Sequence, residues 1–364
     1  MQSLKLAGLT ALLCASVLAA QPMQAQAPVK AAKPAGNAAP AAKQSDNTSS
    51  ESASSSAPIR VNVNEVIVPV TVTDQSGKFV SDLDQKDFQI FEDNKLQSIG
   101  FFTRERNQPV VIGFLVDLSA SSRVHWKNYQ DATIELVQTL LTDEKKFSGY
   151  LITYNQDAEL QVNTTSDPAN IVDKLRKAKP GAGAALFDAI YMSCTNRKLV
   201  RGEPIQPRRV IIIIGDGHDD ASKRTLNQVL ELAQKNLVTI YCISTAGFGF
   251  NNVYDQNLQR LATATGGRVV YPMEAIYKDT SGYLSQPSDD GNYALKVGTG
   301  EYASAVARNM YHAVADIAGE VTTQYILRYV PQDESDKGYR NLKVVVDLPN
   351  VKVRARQGYY ASTP

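Results

Sequence analysis

The sequence has 364 residues, 43% apolar and 21% charged, which is ordinary globular usage and excludes a wholly disordered or collagen-like chain. Its 38 basic and 37 acidic side chains give a formal charge of +1 without a long basic stripe, which argues against a nucleic-acid binder. The three cysteines and three histidines occur without the Cys-x-x-Cys or His-Glu-x-x-His spacing of zinc and iron–sulfur motifs. A metal site in this chain is therefore expected to use oxygen ligands.

The N-terminus has the pattern of an export signal. Lys5 precedes an apolar run over 6–20, and Ala25-Gln-Ala27 is the small-x-small pattern that a signal peptidase cleaves. The run is shorter than the about 20 apolar residues that a membrane span needs. We predict a signal peptide over 1–27, no stable membrane span, and a periplasmic or extracellular product. Cleavage near Ala19 or Ala20 is the alternative, because Pro28 follows the proposed cut.

The segments outside the central part of the chain differ in composition. Residues 28–57 contain almost no large apolar side chains, which predicts a disordered linker. Near-alternating apolar residues and turn-rich stretches predict short strands in 58–107 and again in 321–361. Because a few such strands are marginal alone, we predict that the two segments pair into one β-sandwich. Two separate small sheets docked on the middle domain are the alternative.

The middle segment, 108–320, alternates apolar runs with helical patterns. This alternation predicts an α/β domain with a doubly wound, mostly parallel sheet. The predicted strands are 110–117, 148–154, 209–215, 237–244 and 268–271. The predicted helices are 124–141, 168–176, 185–196, 226–235, 257–263 and 301–319. Sheets of this kind bind ligands at the carboxyl ends of their strands, where the strand order reverses.

Oxygen-bearing side chains follow two of these predicted strands. Asp117, Ser119 and Ser121 come at the end of the first strand, and Asp216 directly follows the strand at 209–215. Mg²⁺ prefers such oxygens and commonly needs only one or two protein carboxylates. The alternative is that the serines cap the next helix and that Asp216 begins an ordinary turn. The residues alone leave both interpretations open.

The chain resembles a von Willebrand factor type A domain over about 108–320. The motifs that carry the resemblance are Asp117-x-Ser119-x-Ser121, Leu186-Phe-Asp-Ala189 and Ile211-Ile-Ile-Ile-Gly-Asp-Gly217. The flanking stretches at 68–74, 87–93 and 353–360 resemble the exported von Willebrand factor A-related proteins common in acidobacterial genomes. The resemblance implies the doubly wound fold and extends it to a sandwich built from both flanks.

The resemblance also implies a metal-ion-dependent adhesion site. Ser119 and Ser121 would coordinate Mg²⁺ or Mn²⁺ directly, while Asp117 and Asp216 would act mainly through bound waters. An acidic side chain of a protein partner would complete the shell.

Two positions depart from the family pattern. Ala184 stands where the family usually has a threonine, and Gly215 stands where it usually has a threonine or serine. Loss of these hydroxyls implies a weakened, degenerate site.

No nucleotide-binding loop and no Gly-x-Ser-x-Gly elbow is present, so we expect a protein that is not an enzyme. His218 and Asp219, and Tyr277 and Tyr283 in the long polar insertion at 272–300, are candidates for partner contact. A solvated loop and local packing are the alternatives for these residues.

We expect an exported adhesion module; a metal-independent structural or assembly role in the cell envelope is the alternative. Partner identity and oligomeric state are not determined by the sequence.

Export would permit a disulfide between the two cysteines of the mature chain, Cys194 and Cys242. Each lies in an apolar stretch, which favours buried free thiols instead.

Overall fold

The computed structural model describes residues 65–104, 109–199, 207–246, 254–273, 300–332 and 338–361. All of them belong to the second of two compact units of the chain, Val61–Pro364. The predicted signal peptide and linker lie outside the described residues, as do Tyr277 and Tyr283.

The described elements follow the predicted alternation in the middle of the chain and are all-β on either side. In chain order the strands are β1 (Val66–Asp74), β2 (Phe88–Glu92), β3 (Lys95–Gln97), β4 (Ile99–Thr103), β5 (Val110–Asp117), β6 (Phe147–Tyr154), β7 (Ala158–Thr165), β8 (Arg208–Gly215), β9 (Val238–Ser244), β10 (Val269–Val270), β11 (Tyr325–Tyr329), β12 (Tyr339–Val346), β13 (Val351–Ala355) and β14 (Gly358–Tyr360). The α-helices are α1 (Trp126–Leu140), α2 (Pro168–Lys177), α3 (Leu186–Thr195), α4 (Leu226–Lys235), α5 (Asp255–Thr265) and α6 (Gly300–Thr322). Short 3-10 turns cover Gln85–Asp87 and Ser121–His125.

The central sheet confirms the predicted doubly wound topology. Its strand order is β10-β9-β8-β5-β6-β7, and every neighbouring pair is parallel except β6 and β7. The chain runs outward from β5 to β6 and β7 and then returns to the other side of β5 as β8, so the strand order reverses between β5 and β8. The edge strand β7 was not predicted, because its apolar residues, Ala158, Leu160 and Val162, only alternate with polar ones and do not form a continuous apolar run.

Helices cover both faces of this sheet. All eight residues of β5 are buried, as its continuous apolar run predicts for a strand between two helical layers. Ile112, Phe114 and Val116 pack on one face with α1, α2 and α6. Val111 and Leu115 pack on the other face with α3, α4 and α5. No helix among the described residues is long and apolar enough to cross a bilayer.

The flanks form two antiparallel four-stranded sheets, in the orders β13-β1-β11-β4 and β14-β12-β2-β3. Each sheet combines strands from both ends of the chain. Val68 of β1 pairs with Leu327 of β11, and Ile90 of β2 pairs with Val344 of β12. Side chains of both sheets share one apolar core. The predicted sandwich of N- and C-terminal segments is therefore confirmed.

Cys194 and Cys242 are both free thiols in the structure, the first half-buried and the second buried.

A buried arginine joins the sandwich to the α/β layer. Arg356 lies between β13 and β14, is 3% exposed, and its Nη2 donates to the Gln234 carbonyl 2.6 Å away near the end of α4. Its Nε donates to the Gly358 carbonyl at 3.2 Å. A cation at the C-terminus of a helix is favoured by the helix dipole, while burial lowers the pKa of Arg356 to about 10.

We expect Arg356→Ala to lower the free energy of unfolding by about 2 kcal/mol, because two buried carbonyls lose their donor. Arg176, an exposed arginine of α2, is the matched control, and its replacement with alanine is expected to change stability by less than about 0.5 kcal/mol. Urea unfolding of the two variants measures both. Equal stabilities would contradict the assigned role of Arg356.

Candidate functional site

The predicted site residues follow two adjacent strands. β5 ends at Asp117 and β8 ends at Gly215, and the two strands pair in parallel with Val116 opposite Ile214. The segments that follow them therefore leave from the same edge of the sheet. This edge lies at the reversal of strand order, where open α/β sheets bind ligands.

The segment after β5 is a tight turn that brings two hydroxyls together. The backbone N–H of Ser119 donates to Asp117 Oδ1 at 2.7 Å, and Ser119 Oγ lies 2.8 Å from Ser121 Oγ. Ser122 Oγ donates back to the Ser119 carbonyl at 2.9 Å. Ser119 is buried, whereas Ser121 is exposed. The N-cap of the 3-10 turn that follows is Ala120, with no side-chain cap, so neither serine caps this turn with its side chain.

Asp117 is a buried carboxyl at this edge whose pKa is raised. Its side chain is 2% exposed, and its Oδ2 atom is buried without a hydrogen-bond partner among the described residues. Burial and the nearby negative charge of Asp216 raise the pKa of Asp117 to about 7, and hydrogen bonds from Ser119 only partly oppose this rise. The ionised Asp117 carboxylate is therefore unfavourable here unless a cation compensates its charge.

Asp216 begins the loop that follows β8, beside Asp117. It is 8% exposed, and its Oδ1 accepts the backbone N–H of His218 at 2.9 Å. Gly217 has a φ of +83°, and a Cβ at this position would overlap the Tyr254 carbonyl, so only glycine fits. This backbone geometry also keeps the Asp216 carboxylate close to Asp117.

Ala184, where the resemblance implies a threonine hydroxyl, supplies no side-chain oxygen to the site. Ala184 is fully buried, and its backbone N–H donates to Asp220 Oδ1 at 2.7 Å. Asp219 Oδ2 accepts the backbone N–H of Phe187 at 2.8 Å and the hydroxyl of Ser222 at 2.6 Å. Asp219 thus holds the start of α3, a role that the sequence did not indicate because the two segments lie more than thirty positions apart.

His218 packs on an aromatic ring rather than standing free. Its ring lies 4.3 Å from the ring of Tyr254, centroid to centroid, and its Nε2 lies 3.8 Å from Asp220 Oδ2. His218 is half-buried. Of the proposed contact residues, His218 and Asp219 therefore lie beside Asp216 and already have contacts within the protein.

Sequence reasoning missed one polar group at this edge. Tyr154 ends β6, opposite Asp117 of β5, and its hydroxyl is buried with no hydrogen-bond partner among the described residues. This hydroxyl lies against Gly215, where a Cβ would overlap it. No local pattern could have found the contact, because 154 and 215 are far apart in the chain.

The donor set fits a hard divalent cation. It has two buried carboxylates, one with an unpartnered oxygen, and two neighbouring hydroxyls. The described residues contain no cluster of three or more His, Cys, Asp or Glu side chains suited to a metal ion. A cation at this edge would therefore depend on the hydroxyls of Ser119 and Ser121 as well as on Asp117 and Asp216.

Residues 112–279 match the family profile of the von Willebrand factor type A domain. This part of the chain is therefore similar to a von Willebrand factor type A domain, as its motifs indicated. Domains of this family are often binding modules with a metal-ion-dependent adhesion site.

Several solved structures are similar to this chain. One is an aerotolerance-related membrane protein from Bacteroides fragilis, 17% identical, covering 44% of this chain and 90% of that one, with a TM-score of 0.37. Another is BatB from Bacteroides thetaiotaomicron, 17% identical, covering 58% of this chain and 97% of that one, with a TM-score of 0.36. A third is proximal thread matrix protein 1 of the mussel byssus with a zinc-occupied MIDAS motif, 15% identical, covering 63% and 49%, with a TM-score of 0.42. No curated protein sequence matches the chain.

Proposed function

We propose that this protein is an exported, non-enzymatic adhesion module that binds an acidic group of a protein partner through a divalent cation at the edge of β5 and β8. Ser119 and Ser121 would hold Mg²⁺ or Mn²⁺ directly, and Asp117 and Asp216 would orient its waters. The bound cation would supply the positive charge that attracts a partner carboxylate.

The observation that carries the proposal is the pair of buried carboxylates. Asp117 and Asp216 are both less than a tenth exposed, and Asp117 Oδ2 has no hydrogen-bond partner among the described residues. Two neighbouring buried acids are costly unless a cation or a proton compensates them. Ser121 is an exposed residue, and its Oγ lies 2.8 Å from Ser119 Oγ, so the edge is reachable from solvent.

Binding is favoured over serine-based catalysis by the contacts of the hydroxyls. Ser119 and Ser121 bond to each other, whereas the imidazole of His218 faces Asp220 and Tyr254. A nucleophilic serine needs a base within hydrogen-bond reach.

Export and subtype rest on sequence alone. The pattern over 1–27 supports secretion to the periplasm or beyond, and the flanking motifs support the exported acidobacterial subtype. His218 and Asp219, with Tyr277 and Tyr283 of the insertion, are the proposed secondary contacts of the partner.

A metal-independent role in the structure or assembly of the cell envelope is the second candidate. It is favoured by Ala184, whose methyl group lies buried where the resemblance implies a hydroxyl ligand, and whose backbone N–H and carbonyl both bond to Asp220. Such a segment offers no side-chain oxygen to a cation.

Calorimetric titration with Mg²⁺ and Mn²⁺ distinguishes the two candidates. We expect the purified protein to bind both ions, and Asp117→Ala or Ser119→Ala to weaken binding by more than about tenfold, because each removes an oxygen that the chain does not replace. Ser98→Ala, at an exposed serine of the sandwich, is the matched control and should leave the affinity unchanged.

A wild-type protein that binds neither ion would refute the adhesion proposal and leave the envelope role. If the ions bind, capture of partners from envelope extract with and without chelator tests the second step. Capture that does not change with chelator would contradict cation-mediated recognition.

A further inference from the structure

The tyrosine at the end of β6 reaches across the sheet. Tyr154 pairs with Asp117 of β5, whereas Gly215 belongs to β8 on the opposite side of β5. The Tyr154 hydroxyl nevertheless lies against Gly215, so its ring spans the width of β5. The phenol of Tyr154 on β6 thus occupies the space that a side chain at position 215 of β8 would take.

Two unpartnered buried oxygens meet at this place. Tyr154 is 1% exposed, and neither its hydroxyl nor Asp117 Oδ2 has a hydrogen-bond partner among the described residues. Both lie close to the position that a Cβ of residue 215 would occupy, which is 3.2 Å from Asp117 Oδ2. A phenol donates one hydrogen and a carboxylate oxygen accepts, so the two groups are chemically complementary.

A buried donor and a buried acceptor that remain unpaired both cost free energy, and proteins rarely leave two of them side by side. A single water bound between them would accept from the phenol and donate to the carboxylate. Asp117 is one of the carboxylates to which the proposed function assigns the waters of a cation.

We propose that Tyr154 is a positioning residue of the cation site: its hydroxyl holds a water shared with Asp117 Oδ2, and so supplies from β6 the hydroxyl that Gly215 of β8 does not carry. This inference rests on the proposed function. It also explains why residue 215 is a glycine: a side chain there would overlap the Tyr154 hydroxyl.

A second tyrosine of β6 provides the matched comparison. Tyr150 lies four positions earlier and is also buried, and its hydroxyl lies against Gly113 of β5 in the same way. The Tyr150 hydroxyl, however, has a hydrogen-bond partner in the side chain of Ser193. Four strand residues place it about 13 Å farther from the edge of the sheet. Tyr150 therefore has a structural role only.

Isothermal titration with Mg²⁺ tests the proposal on the full chain, with Tyr154→Phe and Tyr150→Phe compared. We expect Tyr154→Phe to weaken Mg²⁺ binding by about tenfold, the size of effect typical of outer-shell partners. Its unfolding midpoint in chelator should fall modestly, because the water-mediated bond to Asp117 is lost. Tyr150→Phe should also lower the midpoint, because it loses the bond to Ser193, but it should leave the Mg²⁺ affinity unchanged.

A Tyr154→Phe protein that binds Mg²⁺ within about twofold of wild type, while Asp117→Ala does not bind, would overturn the role of Tyr154 and leave the proposed function intact. A wild-type protein without Mg²⁺ binding would overturn both. If Tyr154→Phe does not fold, the double variant Gly215→Ser/Tyr154→Phe is the test, because its serine on β8 places a hydroxyl where the Tyr154 hydroxyl was. Wild-type-like affinity of this double variant supports the proposal, and a folded double variant that does not bind contradicts it.

Discussion

Replacement of Gly215 with alanine is expected to lower the free energy of unfolding by about 3 kcal/mol. The added Cβ would overlap the Tyr154 hydroxyl and lie 2.9 Å from the Asp117 Cβ, closer than carbon atoms pack. Neither neighbour can move easily, because Tyr154 and Asp117 are both buried at the ends of central strands. Urea unfolding in the presence of chelator measures the loss without a contribution from bound metal.

The control for this substitution is Gly319→Ala in α6, where an added Cβ has no atom within 4 Å. Alanine there should raise stability by up to about 1 kcal/mol, since glycine is a poor helix former. Adding Tyr154→Phe to Gly215→Ala should recover about 1 kcal/mol or more of the loss, because the overlapping hydroxyl is gone. Strictly additive effects of the two substitutions would show that Tyr154 and Gly215 are not in contact.

Asp117→Asn is expected to stabilise the metal-free protein above about pH 8. A pKa raised from 3.8 to about 7 means that the folded state holds the Asp117 proton more tightly than the unfolded state does. The ionised carboxylate therefore destabilises the fold, by at most roughly 4 kcal/mol at about 1.4 kcal/mol per pKa unit. Asparagine keeps the shape of the side chain without its charge.

The sign of the pH dependence follows from the same shift. As the pH falls from about 8 to about 5, wild-type protein in chelator should gain stability relative to Asp117→Asn, because Asp117 takes up its proton. Asp347→Asn, at an exposed aspartate, is the control for loss of one negative charge. A stability difference between wild type and Asp117→Asn that does not change with pH would contradict the raised pKa. With saturating Mg²⁺ the order should reverse, since only the wild type gains binding energy.

Buried strands and exposed turns were predictable because their signals are local. The apolar run of β5 requires cover on both faces, and the structure provides it. The helix predicted at 168–176 corresponds to α2, Pro168–Lys177, whose start is marked by Asp167 and a proline in the first turn. The edge strand β7 was missed because its alternation of apolar and polar residues is short and lacks the continuous apolar run of the central strands.

The candidate site was predictable only in part. Asp117 and Asp216 could be placed at one edge because parallel strands of a doubly wound sheet end together. The contact of Tyr154 with Gly215 and the bond from Phe187 N–H to Asp219 could not, because each joins segments that no periodicity relates.

The sequence by itself determined the class of fold, the pairing of the two flanks and the loops that bear the candidate oxygen ligands, because hydrophobic periodicity and turn residues act over a few neighbouring positions. Only the tertiary structure decided which oxygens remain unpartnered, which carboxylate is strained by burial and which side chain occupies the space beside Gly215. Those properties depend on distances between residues that are remote in the chain, and they exist only when the sheet has assembled.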